Sequence, residues 1–402
     1  MKVLDHSPLT LCVLLLASIS WSSGAVGAWP SVKRPMKLFV NKKLLSKRLQ
    51  TTLKEIVARS ANYGGGIFRI GSAVGPIWEG AYGYIDQTQK NSIGVRSTFE
   101  IASVTKTFTA TVALQLIEEK KIHLDTQLED LLPPSTIKKL LVLDHNDYSG
   151  EISVKQLLNH TSGLAHYWDD PPFVKKGYNT FFSKFVKDEN RIWKPHELLA
   201  FVPGMTPRGK PGKHFHYSDT NYLLLGMIIE AIEKRPLHEV FRRRLFDKLK
   251  LVDTYLSYKE KPKSRYSESH RYFDDEDMHG KEQWSADWAS GGLVSSTRDL
   301  EKFILALATG KVFYSPQTLA LMQTWVKTDD DLQYGLGIYG IKLDRRKGLL
   351  WGHDGWGGAF MYYWPEHQIV FSGTTNQTGS EEDETETEWW ALIDEAIKVI
   401  DP

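Results

Sequence analysis

Between Phe108 and Ile117 only two Thr and one Gln interrupt an apolar run. A helix that is apolar nearly all round cannot lie on a surface, so the rest of the chain has to wrap it. Glu118, Glu119, Lys120 and Lys121 mark its return to water. Its start carries Ser103 and Lys106, three residues apart and therefore on one helix face. The first backbone N–H groups of a helix lack intrahelical partners, and the dipole there is positive. A buried start of this kind suits an anion and could activate a hydroxyl beside an amine. The same residues also fit a plain cap, because Ser is a preferred N-cap and a Lys one turn on can be solvated. S-x-x-K recurs at Ser135–Lys138, where it follows Pro133-Pro134 and reads as a helix cap.

The 402 residues are enough for a large core, as one domain or two interleaved parts. A net charge of +1 gives no bulk attraction to nucleic acid. Residues 1–28 read as a signal peptide. Lys2 is followed by an apolar segment at 9–19, too short to span a bilayer, and Ala25-Val-Gly27 before Ala28 is a plausible cleavage point. An uncleaved anchor is the alternative. The expectation is a secreted or periplasmic protein, with no membrane span after processing. The only cysteine, Cys12, lies inside this segment, so the processed chain would lack disulfides, thiol chemistry and cysteine-held metal.

Apolar spacing predicts a basic amphipathic helix over residues 44–61, then a hairpin of a strand at 67–70 and a partner within 73–84. A turn-rich helical section follows, with helices at 153–158, 221–233 and 237–249, and irregular aromatic stretches at 171–178 and 193–207. A capped helix at 299–308 precedes four candidate strands at 333–343, 348–352, 357–364 and 368–375. An acidic run at 381–388 and a C-terminal helix at 389–400 end the chain. The predicted fold is α/β of the α+β type. An antiparallel sheet from residues 29–119 and 286–402 is flanked by helices, a mostly helical part spans 120–285, and the apolar helix lies at the seam.

Three stretches are polar and aromatic where regular structure stops: Ser103–Lys106, His216–Tyr222 and Gly352–Gly358. With Ser103-x-x-Lys106 first and His353-Asp-Gly355 last, the chain resembles the serine hydrolases related to class C β-lactamases and serine D-alanyl-D-alanine carboxypeptidases. That family carries S-x-x-K, Y-x-N and K-T-G or H-x-G in this order. The stretches 157–164, 291–300 and Thr375-Asn-Gln377 also resemble its landmarks, and the resemblance covers about residues 45–400. It implies a serine hydrolase acting through an acyl-serine, with no cofactor and no metal, on a peptide or small-molecule amide or ester. Ser103 would be the nucleophile, Lys106 its base and Tyr217 the proton relay. The backbone N–H groups of Ser103 and Trp356 would hold the oxyanion, with Asp219, His353 and Gly355 along the substrate.

The chain departs from the pattern at Tyr217-Ser-Asp219, where the family has Asn. A carboxylate only accepts hydrogen bonds, and it would favour charged Lys106 and weaken it as a base unless it points away. His353 in place of Lys is a weaker anchor for a substrate carboxylate. Both changes point from β-lactam cleavage toward peptidase- or esterase-like chemistry. The other readings are a non-catalytic binding protein on the same fold and a metal site at His214-x-His216. Asn159-His-Thr161 and Asn376-Gln-Thr378 match glycosylation sequons, and His160 reads as a turn residue.

Overall fold

The computed structural model describes residues 40–59, 64–170, 180–273, 276–328, 332–343, 348–378 and 388–402. The elements that frame the site are, in chain order, helix α1 (Lys42–Arg59), strands β1 (Gly65–Ser72) and β2 (Gly75–Gly83), and helices α2 (Thr105–Glu118), α3 (Asp219–Glu233) and α4 (Thr297–Ala308). Strands β3 (Val326–Lys327), β4 (Gln333–Tyr334), β5 (Tyr339–Lys342), β6 (Leu349–Gly355), β7 (Ala359–Trp364) and β8 (Ile369–Thr374) follow, and helix α5 (Glu388–Ile400) closes the chain. The eight strands form one antiparallel sheet in the order β3-β4-β5-β6-β7-β8-β1-β2. The N-terminal hairpin docks on the last C-terminal strand, with Ile67 opposite Thr374 and Ser72 opposite Ile369. This is the α+β architecture expected from the strand and helix patterns.

The sheet is apolar on both faces, and the two-residue side-chain period divides them. Phe68, Ile70, Phe360, Tyr362, Trp364 and Phe371 face one core, which α1 and α5 cover with Leu45, Leu49, Leu53, Trp389, Leu392 and Ile393. The alternate residues Ile67, Ala359, Met361, Tyr363 and Val370 face the larger core, which holds α2, α3 and α4. A charged cluster sits on this inner side: buried Arg69 of β1 pairs with Glu301 of α4 and Glu79 of β2. A buried charge is tolerable only when paired in this way.

Helix α2 is buried from Thr105 to Leu116. Three of its polar side chains have partners in the segments that wrap it. Thr107 Oγ1 donates to Gly337 O at 2.9 Å, Thr109 Oγ1 to Ala289 O at 2.7 Å and Gln115 Nε2 to Val312 O at 3.0 Å. Thr111 Oγ1 donates instead to Thr107 O of its own helix at 2.7 Å, so each of these buried polar side chains has a partner. The β4–β5 turn reaches it closely enough that a Cβ on Gly337 (φ +84°) would stand 2.3 Å from Ala110 Cβ.

Several elements differ from the sequence expectation. The strand expected at 333–343 is two strands, β4 and β5, because the turn through Gly335 and Gly337 folds onto α2. The helix expected at 237–249 is broken by a π turn at Arg242–Phe246. The irregular stretch at 193–207 contains a short helix, Pro195–Leu199, whose Glu197 accepts the Lys194 N–H at 2.8 Å. Ser135 lies inside the helical turn Pro134–Ile137, so Pro133 and not Ser135 occupies the cap. The signal segment, the stretch 171–178 and the acidic run up to residue 387 fall outside the described residues. No helix among the described residues is long and apolar enough to cross a membrane.

Phe108 is fully buried on α2 and stacks on Phe303 of α4, with ring centroids 3.7 Å apart. Phe108→Ala is expected to lower stability by about 3–5 kcal/mol. Denaturant melts would check this, and a loss below about 1 kcal/mol would contradict the role given to α2.

Candidate active site

The two-residue strand Phe99–Glu100 pairs with Leu293–Ser295 and delivers the chain to Ser103. Ala102 then adopts φ +42°, a conformation that costs a non-glycine residue about 1–3 kcal/mol. The resulting sharp turn is the short 3-10 helix Ala102–Val104, which runs directly into α2. Two ties hold it: Ile101 N donates to Leu293 O at 2.9 Å, and Leu293 N to Thr105 Oγ1 at 3.1 Å.

Lys106 is fully buried. Its ammonium donates to Ser103 Oγ at 2.9 Å and to Ser290 O at 3.0 Å, and it lies 2.6 Å from Asp219 Oδ1. The Tyr217 ring faces it at 4.8 Å and the Tyr222 ring at 5.7 Å. Burial pushes the Lys106 pKa below the ordinary lysine value. Asp219 works in the opposite direction without restoring it. For Asp219 itself burial acts upward, but Lys106 and His166 outweigh it and leave the carboxyl below the usual range. Asp219 therefore points at the lysine, not away from it.

Burial and then Asp219 push the Tyr217 phenol well above its ordinary pKa, with the nearby Ser103 hydroxyl acting against them. Its ring stacks on His160, with centroids 4.3 Å apart. The His160 Nδ1 accepts the Ser218 N–H at 3.1 Å and the Asn221 side-chain amide at 2.9 Å. His160 thus fixes both the turn before α3 and the plane of the tyrosine. Burial, helped by the Lys106 charge, holds it well below the ordinary histidine pKa, so it is neutral.

His353 lies on β6, opposite Met361, and is almost fully buried. Its Nδ1 donates to the Asp354 carbonyl at 2.5 Å. A carbonyl only accepts, so Nδ1 carries the proton and Nε2 accepts from the Tyr334 hydroxyl at 3.1 Å. Burial, then Lys106, pushes the imidazole pKa down to about 3. His353 is a neutral ring with both nitrogens engaged. Gly355, two residues on, permits the closest approach in the site: a Cβ there would stand 2.5 Å from Ile101 O and 2.9 Å from Ser103 N. Trp356 follows in the turn, its ring tilted against Trp284 at 5.3 Å and over the Arg271 guanidinium at 4.7 Å.

Ser103, Lys106, Tyr217 and Asp219 therefore meet at one point, with Gly355 against the Ser103 backbone and the His353 ring 6.3 Å from that of Tyr217. His214 and His216 do not converge with them as a metal pair. His214 is exposed, and His216 Nε2 lies 2.8 Å from Asp170. No group of three or more potential ligands clusters as a metal site among the described residues. Asn159 and Asn376 are both buried, and the Asn376 amide donates to Gly65 O and Ser269 Oγ, so neither is presented to a glycosylating enzyme in the folded chain. Sequence reasoning missed His166, whose Nε2 lies 4.0 Å from Asp219 Oδ1, and the Ser290 carbonyl. A carbonyl leaves no trace in residue type. The pair His160 and His166 flanking a Gly-Leu turn was the available signal for the first.

A family model described as Beta-lactamase matches residues 58–395. The chain is 25% identical over 224 residues to Protein flp of Staphylococcus aureus (strain MRSA252), a match covering 56% of this chain and 41% of that protein. It thus spans well under half the length of that relative. Among solved structures, the D-stereospecific amidohydrolase from Streptomyces sp. is 28% identical with a TM-score of 0.70, covering 87% of this chain and 97% of that one. The D-amino acid amidase from Ochrobactrum anthropi SV3 shares the fold at 22% identity and a TM-score of 0.72, covering 89% and 98%. With S-x-x-K, the tyrosine and the H-x-G strand assembled around one serine, this chain belongs to the Beta-lactamase family of serine hydrolases.

Proposed function

We propose that the protein is a serine hydrolase that cleaves an amide or ester bond through an acyl intermediate on Ser103. The observation that carries this reading is the 2.9 Å contact between the Ser103 hydroxyl and a fully buried amine. Neutral Lys106 takes the Ser103 proton as Oγ bonds to the substrate carbonyl carbon. The resulting oxyanion sits between the backbone N–H groups of Ser103 and Trp356, contacts worth about 2.7–4 kcal/mol each. Tyr217, whose ring faces Lys106 at 4.8 Å, passes the proton on to the departing nitrogen or oxygen, and water then releases the acyl group.

The likeness to the Streptomyces D-stereospecific amidohydrolase supports D-amino-acid amides or peptides as the acyl donors, in the manner of a D-alanyl-D-alanine carboxypeptidase, with small esters as the related class. Neutral His353 offers no charge to a substrate carboxylate, which weighs against β-lactams as the preferred substrate. Residues 1–28 act in this reading as a signal peptide for export. One observation favours a second reading, a binding protein with little turnover: the 2.6 Å ion pair between Asp219 and Lys106 stabilises the protonated amine.

A fluorophosphonate probe is expected to label the wild-type protein at Ser103, and Ser103→Ala to abolish labelling. Adduct mass in the mutant would remove the assignment. Asp219→Asn separates the two readings. Lys106 acts only when neutral, so labelling rises as pH rises through its pKa. Removing the carboxylate that stabilises the ammonium lowers that pKa, and the acidic limb of the labelling rate should move down by about 1–3 pH units. A limb that stays in place, or moves up, would show that Asp219 does not set the base.

A further inference from the structure

Resting on Ser103 as the acyl-serine nucleophile, we propose that Asp287 is a specificity residue that seats a positively charged group of the acyl donor beside the reacting carbonyl. Asp287 stands on the turn that opens the short helix Trp288–Gly291. Its carbonyl accepts the Ser290 and Gly291 N–H groups, both at 2.8 Å, and the Ser290 hydroxyl at 2.7 Å. Ser290 O is in turn the acceptor for Lys106 Nζ at 3.0 Å. The carboxylate is therefore carried by the same turn that fixes the catalytic amine.

That carboxylate is half-buried, and no hydrogen-bond donor or ion-pair partner meets it among the described residues. The cations nearby are engaged elsewhere. Lys106 faces Asp219 at 2.6 Å. Arg271 pairs with Glu100 at 2.9 Å and lies against both the Trp284 and Trp356 rings, at 4.5 and 4.7 Å. His353 is neutral, with both nitrogens bonded. The charges of Asp219, Asp287 and Asp354 all act on the Lys106 ammonium. Asp219 holds the lysine and Asp354 accepts from the Tyr362 hydroxyl, so of the three the partnerless one is Asp287. Burial, with Asp219 and Glu100 adding to it against Arg271, pushes Asp287 up to about 7. A cation placed against it restores the ionised form, whereas an anionic donor meets repulsion without a compensating donor.

The test uses three amides on one scaffold as competitors of fluorophosphonate labelling at neutral pH: D-phenylalanine amide with its ammonium, 3-phenylpropanamide without it, and the monoamide of benzylmalonic acid with a carboxylate. Protection of Ser103 is expected to need at least about tenfold less of the first than of the second, with the third weakest. Asp287→Asn should collapse the first ratio to within about threefold, and Asp287→Glu should keep part of it. A purely structural role would weaken all three competitors together and leave the ratio intact. Equal protection by the three amides in the wild type, or a ratio unchanged in Asp287→Asn, would overturn the inference while labelling of Ser103 upheld the hydrolase reading. Absence of labelling would remove both. If neither variant folds, equal protection by the three amides in the wild type still overturns the inference.

Discussion

An amine enclosed by protein on every side is the constraint from which the site follows. Water would hold Lys106 protonated. Withdrawing it from water disfavours the charge, and Asp219 at 2.6 Å restores part of it. Neither influence alone gives a useful base: full compensation yields an inert ammonium, and burial alone yields an amine with nothing to orient it. The geometry sets one against the other. The Ser290 carbonyl and the Ser103 hydroxyl use two of the three ammonium donors and aim the third position at the carboxylate.

The fold exists, in this sense, to bury that one residue. Helix α2 has no solvent face because the sheet's inner surface, α3, α4 and the β4–β5 turn all press on it. Thr107 and Thr109 serve as attachment points, each donating to a carbonyl of a wrapping segment. The strain at Ala102 and the absent Cβ at Gly355 serve the same end, since together they let a strand edge lie against the backbone of Ser103. Covering the other face of the sheet falls to α1 and α5.

Much of this was legible in the sequence because it rests on local pattern. The apolar run with Ser103 and Lys106 at its head, the alternation in β7 and β8 and the H-x-G stretch all report on structure within a few residues. What was not legible depends on approach over long distances. Lys106 is tuned by a carbonyl 184 positions away. The direction of Asp219 was open in the sequence, since a carboxylate in the first turn of α3 could equally cap its own helix. His353 looked like a substrate anchor by type. Its burial against Tyr334, contributed by a strand that periodicity had merged with β5, makes it a neutral prop. The aromatic grip on Arg271, which removes a cation from the cleft, likewise joins residues that no local pattern connects.

The central claim is that burial outweighs Asp219 at the Lys106 ammonium. Its most direct test is a titration of the Lys106 Nζ signal by nitrogen-15 NMR in lysine-labelled protein, with Lys106→Arg used to assign the resonance. The account predicts a midpoint below the ordinary lysine value of 10.5. A midpoint at or above that value would mean that Asp219 prevails, and the amine beside Ser103 would then be a structural cation and not a base.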